Sequence, residues 1–226
     1  MTVDGIASRV HEVRAAVDRA ARGAGREPQS VRIVAASKYA DVDAIRAAAD
    51  AGQHDFGENY LQRALEKMRT IGRDDLRWHF IGALQSNKAA LAARSFHLVH
   101  TLSSETALAA IARAVSSGAE CRVLVQVRLG GGSERAGLDP GAVAGFVRAA
   151  ASAPGIVVDG LMGVAPLDEP ARPHFARLRT LLDEVRALDL PHAPLREMSA
   201  GMSEDFVDAI HEGATLVRIG RAFFGR

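Results

Sequence analysis

Val31-Arg-Ile-Val-Ala-Ala-Ser-Lys38 is the stretch whose reading decides the fold. It is a short apolar run, rich in β-branched residues at its start, and it gives way at Asp41 to an Ala-rich stretch of helical period. A strand followed at once by a helix is one βα unit. Along the run, period-two alternation places Val34, Ala36 and Lys38 on one face and Ile33, Ala35, Ser37 and Tyr39 on the other.

Working outward, similar runs recur at 54–59, 78–85, 98–103, 122–129, 157–164, 195–201 and 215–220. Helical stretches separate them, for example at 41–51, 60–70, 105–116, 140–151, 171–187 and 204–212. Eight strand-like runs alternating with helices predict an α/β protein: a (β/α)8 barrel of the TIM type. An open doubly wound sheet is the runner-up. It would usually carry a Gly-rich nucleotide turn after the first strand, and Ser37-Lys38-Tyr39-Ala40-Asp41 has no glycine. Residues 1–25 carry apolar side chains at helical spacing between Asp4, Arg9, Glu12, Arg14 and Asp18, so an extra surface helix precedes the barrel. No Pro-, Gly- or Ser-rich linker divides the chain, and one domain is expected over residues 1–226.

Composition narrows the function classes. The chain is 48% hydrophobic and 24% charged, ordinary values for a globular protein with a filled core. Twenty-eight basic and twenty-seven acidic residues leave a net charge of +1 with no long run of either sign, which argues against a nucleic-acid partner. No window approaches the roughly 20 apolar residues that cross a bilayer, so no membrane role is expected. Cys121 is the only cysteine and lies in an apolar strand run. A buried structural thiol, a reducing cytoplasm and no metal cage follow. The histidines, His97 and His100 among them, do not fall at metal-ligand spacings with further ligands nearby.

Lys38 is the first candidate for chemistry. Facing into a barrel, an amine at the mouth of an apolar cavity is desolvated and freed to attack an aldehyde. The plain alternative is a lysine that ends a strand in solvent, and this segment alone leaves that open. The loops after strand runs seven and eight bear on it. Ala200-Gly-Met-Ser-Glu-Asp-Phe206 and Leu216-Val-Arg-Ile-Gly-Arg-Ala-Phe-Phe-Gly225 each set a glycine turn between a strand and a helix start. Gly201 lets the backbone approach closely, Ser203 is placed to cap a helix, and Gly220 repeats the arrangement. In barrels these two loops often hold a phosphate. Two ordinary helix N-termini, with Glu204 and Asp205 facing the helix dipole, remain the alternative. Their joint occurrence with Lys38 favours a phosphorylated aldehyde cofactor. Asn59, at the end of strand run two, is placed either to reach the cofactor rim or to form a turn.

The chain resembles the YggS and PROSC group of pyridoxal phosphate homeostasis proteins. The resemblance spans nearly the whole sequence and is carried by ASKYAD around Lys38, AGQHDFGENYLQ from Ala51, WHFIGALQSNK from Trp78, GLMGV from Gly160, GMSEDF from Gly201 and VRIGRAFFG from Val217. It implies the barrel of bacterial alanine racemases with pyridoxal phosphate held as a Schiff base on Lys38. It also implies phosphate contacts from Met202, Ser203, Gly220 and Arg221, with Arg218 near the pyridine nitrogen. Tyr39 stands where a small polar residue is common and Arg221 where Ser or Thr is typical; the amide at 221 still serves a phosphate, while its guanidinium either adds a bond or turns outward. The Gly130 to Gly132 segment is expected over the barrel mouth.

A permanent cation beside the ring nitrogen weakens the ring as an electron sink. Racemases of this fold take a tyrosine base from an additional β domain, and here only Tyr39 and Tyr60 exist, with Tyr39 expected to face away from the cavity. The expected protein is therefore a non-catalytic carrier or buffer of pyridoxal phosphate, with no catalytic residue, a monomer, and PLP-dependent apo-enzymes as possible recipients. A small racemase, or a barrel enzyme using Lys38 on a sugar phosphate, are the alternatives.

Overall fold

The structure is a computed structural model that describes residues 3–115, 120–131 and 135–225. Ser116, at the predicted end of a helix, and Gly132, Ser133 and Glu134 of the glycine-rich loop lie outside the described residues.

Eight parallel strands pair in chain order and close on themselves. They are β1 (Arg32–Ala36), β2 (Asp55–Glu58), β3 (Arg77–Phe80), β4 (Leu98–Leu102), β5 (Cys121–Arg128), β6 (Ile156–Val164), β7 (Glu197–Ser199) and β8 (Leu216–Ile219). β8 returns to β1 in a register that sets Val34 opposite Arg218 and Ala35 opposite Ile219. The α/β barrel expected from the sequence is the fold. All strands but β6 end earlier than their apolar runs, because the chain turns outward once pairing stops. At the end of β1, for instance, the Ala40 amide donates to the Ser37 carbonyl at 2.9 Å.

The alternation read along β1 sorts the two layers of the core. Ile33 and Ala35 join the large outer cluster between sheet and helices. Val34 joins Leu98, Leu124, Met162 and Leu216 in a small cluster inside the barrel. A closed barrel buries both faces of every strand, which is why these runs are apolar throughout. The N-terminal helix α1 (Val3–Gly23) buries Ile6, Val10, Val13, Val17 and Ala20 at three- and four-residue spacing. It packs on α2 (Val42–Asp50), α8 (Phe206–His211) and α9 (Arg221–Phe224). Arg26, just beyond it, donates to the carbonyls of Ile210 and Ala214 at 2.9 and 2.8 Å.

Three ion pairs close the end of the barrel where the strands begin: Arg32–Glu197 at 2.5 Å, Arg77–Asp55 at 2.6 Å and Arg122–Asp159 at 2.5 Å. Cys121 opens β5 with its thiol buried, and that burial pushes its pKa up to about 12. Among the described residues no helix is long and apolar enough to cross a membrane.

Candidate functional site

At the opposite end, where β1, β7 and β8 finish, lies a cleft of about 200 Å³. Lys38, Met202, Ser203, Arg218, Gly220 and Arg221 all line it. Asn59 does not. It lies in a neighbouring hollow of about 640 Å³ with Tyr60, Arg63 and Lys88, and its carbonyl packs so closely on Gly82 that a Cβ there would sit 2.1 Å away. Strand β2 ends at Glu58, and the chain has already turned toward α3 (Leu61–Ile71) by Asn59.

Lys38 is half-buried, two residues beyond β1, in a turn that hydrogen bonds fix from below. The amide of Ser37 donates to the Gly57 carbonyl at 2.9 Å, and its hydroxyl donates to Oε1 of the fully buried Glu58 at 2.7 Å. Lys67, from α3, donates from Nζ both to that same Oε1 and to the Ser37 carbonyl, each at 2.7 Å. Every polar group of Ser37 is thus engaged, which fixes the direction in which Lys38 leaves the strand. Lys38 Nζ lies 5.1 Å from the centroid of the Tyr39 ring. Tyr39 lines the cleft too, contrary to the expectation that it turns away. Strand alternation stops at Ala36, so residues 38 and 39 no longer obey it.

The two glycine turns form the other wall. Gly201 has φ +87°, and a Cβ there would meet Ala209 Cβ at 2.6 Å and Phe206 Cα at 2.8 Å. Gly220 packs on Ala36, where a Cβ would lie 3.1 Å from the carbonyl oxygen. Ser203 is not the helix cap expected from the sequence. α8 begins only at Phe206, with Asp205 in the cap position, and the Asp205 carboxylate accepts from the Met202 amide at 2.5 Å. The amides of Ser203, Glu204, Arg221 and Ala222 find no acceptor among the described residues. Four free N–H groups on two adjoining turns make a receptor for an anion. Arg221 sends its guanidinium outward to Glu204 at 2.5 Å, so side chains tie the two turns together over the rim.

Arg218 is buried and donates to Ser199 Oγ at 2.6 Å and to the Gly163 carbonyl at 3.0 Å. It has no carboxylate in contact among the described residues, and desolvation lowers its pKa to about 10, leaving it a cation at neutral pH. Behind it runs a buried chain. Ser199 Oγ is 2.9 Å from His100 Nδ1, His100 Nε2 is 2.9 Å from His79 Nδ1, and His79 Nε2 is 2.9 Å from Asp55 Oδ1. In one cleft the site therefore combines a half-buried amine, a set of free amides and a buried cation without an acid.

The alanine racemase N-terminal domain family matches residues 11–226. The pyridoxal phosphate homeostasis protein of Pseudomonas aeruginosa is 40% identical over 224 residues, covering 97% of this chain and 95% of that one. The chain belongs to the pyridoxal phosphate homeostasis group of this family. Another relative of the same fold, the structure of PipY from Synechococcus elongatus with PLP bound, superposes with a TM-score of 0.86 at 34% identity, over 97% of this chain and 100% of that one. Alanine racemase from Corynebacterium glutamicum shares the fold with a TM-score of 0.69 at 23% identity, and the chain spans 60% of its length. The resemblance read from the motifs is therefore correct.

Several residues of the site were not singled out from the sequence. Leu167 projects beside the cleft with 86% of its surface exposed. Arg135, after the glycine-rich loop, pairs with Asp168 at 3.5 Å and so ties that loop to the turn carrying Leu167. His79 is a link of the interior chain. A polar residue at an inward position of an otherwise apolar strand is the signal, and His79, His100 and Ser199 all carry it.

Proposed function

We propose that the chain holds pyridoxal phosphate covalently on Lys38 and serves as a carrier or buffer of that cofactor, without catalytic turnover. One observation carries this reading: a half-buried amine and the unpaired amides of Ser203, Glu204 and Arg221 share a cleft whose buried cation, Arg218, has no carboxylate in contact among the described residues. The cofactor supplies an aldehyde for the amine, a phosphate for the amides and a ring nitrogen for the guanidinium. Met202, Ser203, Gly220 and Arg221 then hold the phosphate, with Arg221 contributing its amide. The name of the Pseudomonas aeruginosa relative and the PLP-bound PipY structure support the same ligand.

Arg218 also bears on turnover. A guanidinium at the ring nitrogen keeps a proton off it, and an unprotonated ring stabilises a carbanion poorly. The only tyrosines, Tyr39 and Tyr60, are both exposed, so neither is held as a desolvated base. On this reading residues 1–226 act as one cytoplasmic, monomeric cofactor-binding unit, and apo-enzymes that need pyridoxal phosphate are its recipients. Asn59 has no part in the first contacts with the cofactor.

The test is spectroscopic. The purified protein given pyridoxal phosphate develops a visible absorption band that borohydride abolishes, and peptide mapping places the reduced label on Lys38. Lys38→Ala shows neither. A wild-type protein that stays colourless with excess cofactor overturns the reading. In deuterated water, exchange of an amino acid's α-hydrogen at an enzymatic rate would overturn the non-catalytic part alone.

A further inference from the structure

The chain of polar side chains inside the barrel has a direction. Asp55 receives two hydrogen bonds from Arg77, at 2.8 and 2.6 Å, and as a carboxylate it can only accept. His79 must therefore donate to it from Nε2. Burial holds the imidazole neutral, so its Nδ1 carries a lone pair. His100 must then donate from Nε2, and its own Nδ1 is bare in turn. That nitrogen takes the Ser199 hydroxyl hydrogen, which leaves the Ser199 oxygen to accept from Arg218. Each link fixes the next, and all four point toward Asp55. The opposite polarity would set a ring lone pair against a carboxylate at one end and a hydroxyl hydrogen against a guanidinium at the other.

We infer that Asp55, His79, His100 and Ser199 are positioning residues that act as one oriented relay, fixing Arg218 in the cleft from the far end of the barrel. Three of the links, His79, His100 and Ser199, are completely buried, and Asp55 is 5% exposed, so water does not compete for these bonds. The arrangement meets a specific need. Arg218 is a buried cation with no carboxylate in contact among the described residues, and the relay aligns hydrogen-bond dipoles that end in one. The relay also settles which face Ser199 shows to Arg218: a lone pair, never a hydrogen. The role concerns the geometry of the guanidinium and involves no proton transfer.

The part of the test that uses cofactor rests on the proposed function, and the other part does not. Long-range nitrogen–proton NMR on the cofactor-free protein, assigned with His79→Gln and His100→Gln, should find both rings as the Nε2–H tautomer between pH 7 and 8. A proton on Nδ1 of either ring overturns the relay. Asp55→Asn offers a carboxamide that can donate, so His79 and His100 should switch tautomer. The absorption maximum of bound pyridoxal phosphate should move with them, and its affinity should fall about tenfold. Asp159→Asn alters an equally buried floor carboxylate outside the relay and should leave tautomers and maximum unchanged. If Asp55→Asn does not fold, Ser199→Ala supplies the same test, and an unmoved absorption maximum in folded Ser199→Ala overturns the inference. If no cofactor binds at all, the proposed function fails and the tautomers alone decide the relay.

Discussion

Where the strands begin, Arg32, Arg77 and Arg122 meet carboxylates at 2.5, 2.6 and 2.5 Å; where they end, Arg218 and Lys38 meet none among the described residues. The two ends handle positive charge by opposite rules. The floor neutralises each of these cations with a matched acid, and two of its pairs, Arg77–Asp55 and Arg122–Asp159, are bidentate. That is how a protein seals an interior at modest electrostatic cost. The mouth leaves a buried guanidinium to neutral oxygens and four amides without an acceptor among the described residues. Such an end is incomplete until an anion arrives. The floor, then, is where the barrel keeps its stability, and the mouth is where it forgoes some of it for binding.

The contrast is open to attack first at Lys67, a part-buried cation near the mouth that is paired with a fully buried acid. Lys67→Met leaves the fully buried Glu58 with only the Ser37 hydroxyl on a carboxylate whose Oε2 is already unpartnered. Breaking a buried pair on one side costs about 3–5 kcal/mol, so denaturant titration should show a loss of that order. Loss of Lys38 direction should accompany it, seen as slower and incomplete borohydride trapping. The next comparison sets one end against the other. Arg122→Met strands Asp159 on the floor and should cost about 1–3 kcal/mol, with cofactor uptake intact. Arg218→Met removes a buried cation that has no acid and should cost the cofactor-free protein little or nothing, while abolishing tight binding. Equal destabilisation by the two would show that the ends do not differ.

Legibility in the sequence follows the same division. Strand existence and order were readable because both faces of a closed barrel are apolar, so every strand announces itself as a run. Lys38, Gly201 and Gly220 were readable because they punctuate those runs. Local geometry at the mouth was not. The Ser203 cap was misplaced because three residues of turn intervene before Phe206, and nothing in Met202-Ser203-Glu204-Asp205 reveals that the Asp205 carboxylate turns back on the Met202 amide. Tyr39 was misplaced because alternation was carried three residues past the end of β1. The relay and the Glu58–Lys67 contact depend on which strands become neighbours, and His100 with Ser199 are 99 positions apart in the chain. Only the closed barrel brings them together.

Acid should weaken the interior before it weakens the floor. Burial lowers the pKa of His79 and His100 below their ordinary value of 6.5. Below about pH 6.5 the unfolded chain binds more protons on these rings than the native protein does. Stability is therefore full above that pH and falls as the medium is acidified, by about 1.4 kcal/mol per pH unit for each ring. Asp55, held well below the usual carboxylate range by Arg77 and His79, adds a loss of the same sign only nearer pH 4. Denaturant midpoints between pH 5 and 8 should show the slope, and His100→Gln should flatten it by one ring's share. An unchanged slope would mean that the imidazoles are not buried as neutral groups.

The smallest effect expected is also the one that defines what the mouth is made of. The Arg221–Glu204 pair lies on the rim with 63% and 68% of the two side chains exposed, and such pairs contribute about 0–1 kcal/mol. Arg221→Ala should shift the melting temperature by no more than a degree or two, and cofactor affinity by less than twofold, because the backbone amide at 221 survives the substitution. Raising the salt to 1 M, which screens exposed charges beyond about 3 Å, should have little further influence on the variant. The result separates two receptors that look alike in composition. If affinity holds, the phosphate is read by backbone N–H groups, and residue 221 can vary in its side chain as long as it keeps its amide. If it drops tenfold, the guanidinium leaves Glu204 for the anion, and the mouth keeps a third cation in reserve where the floor keeps none.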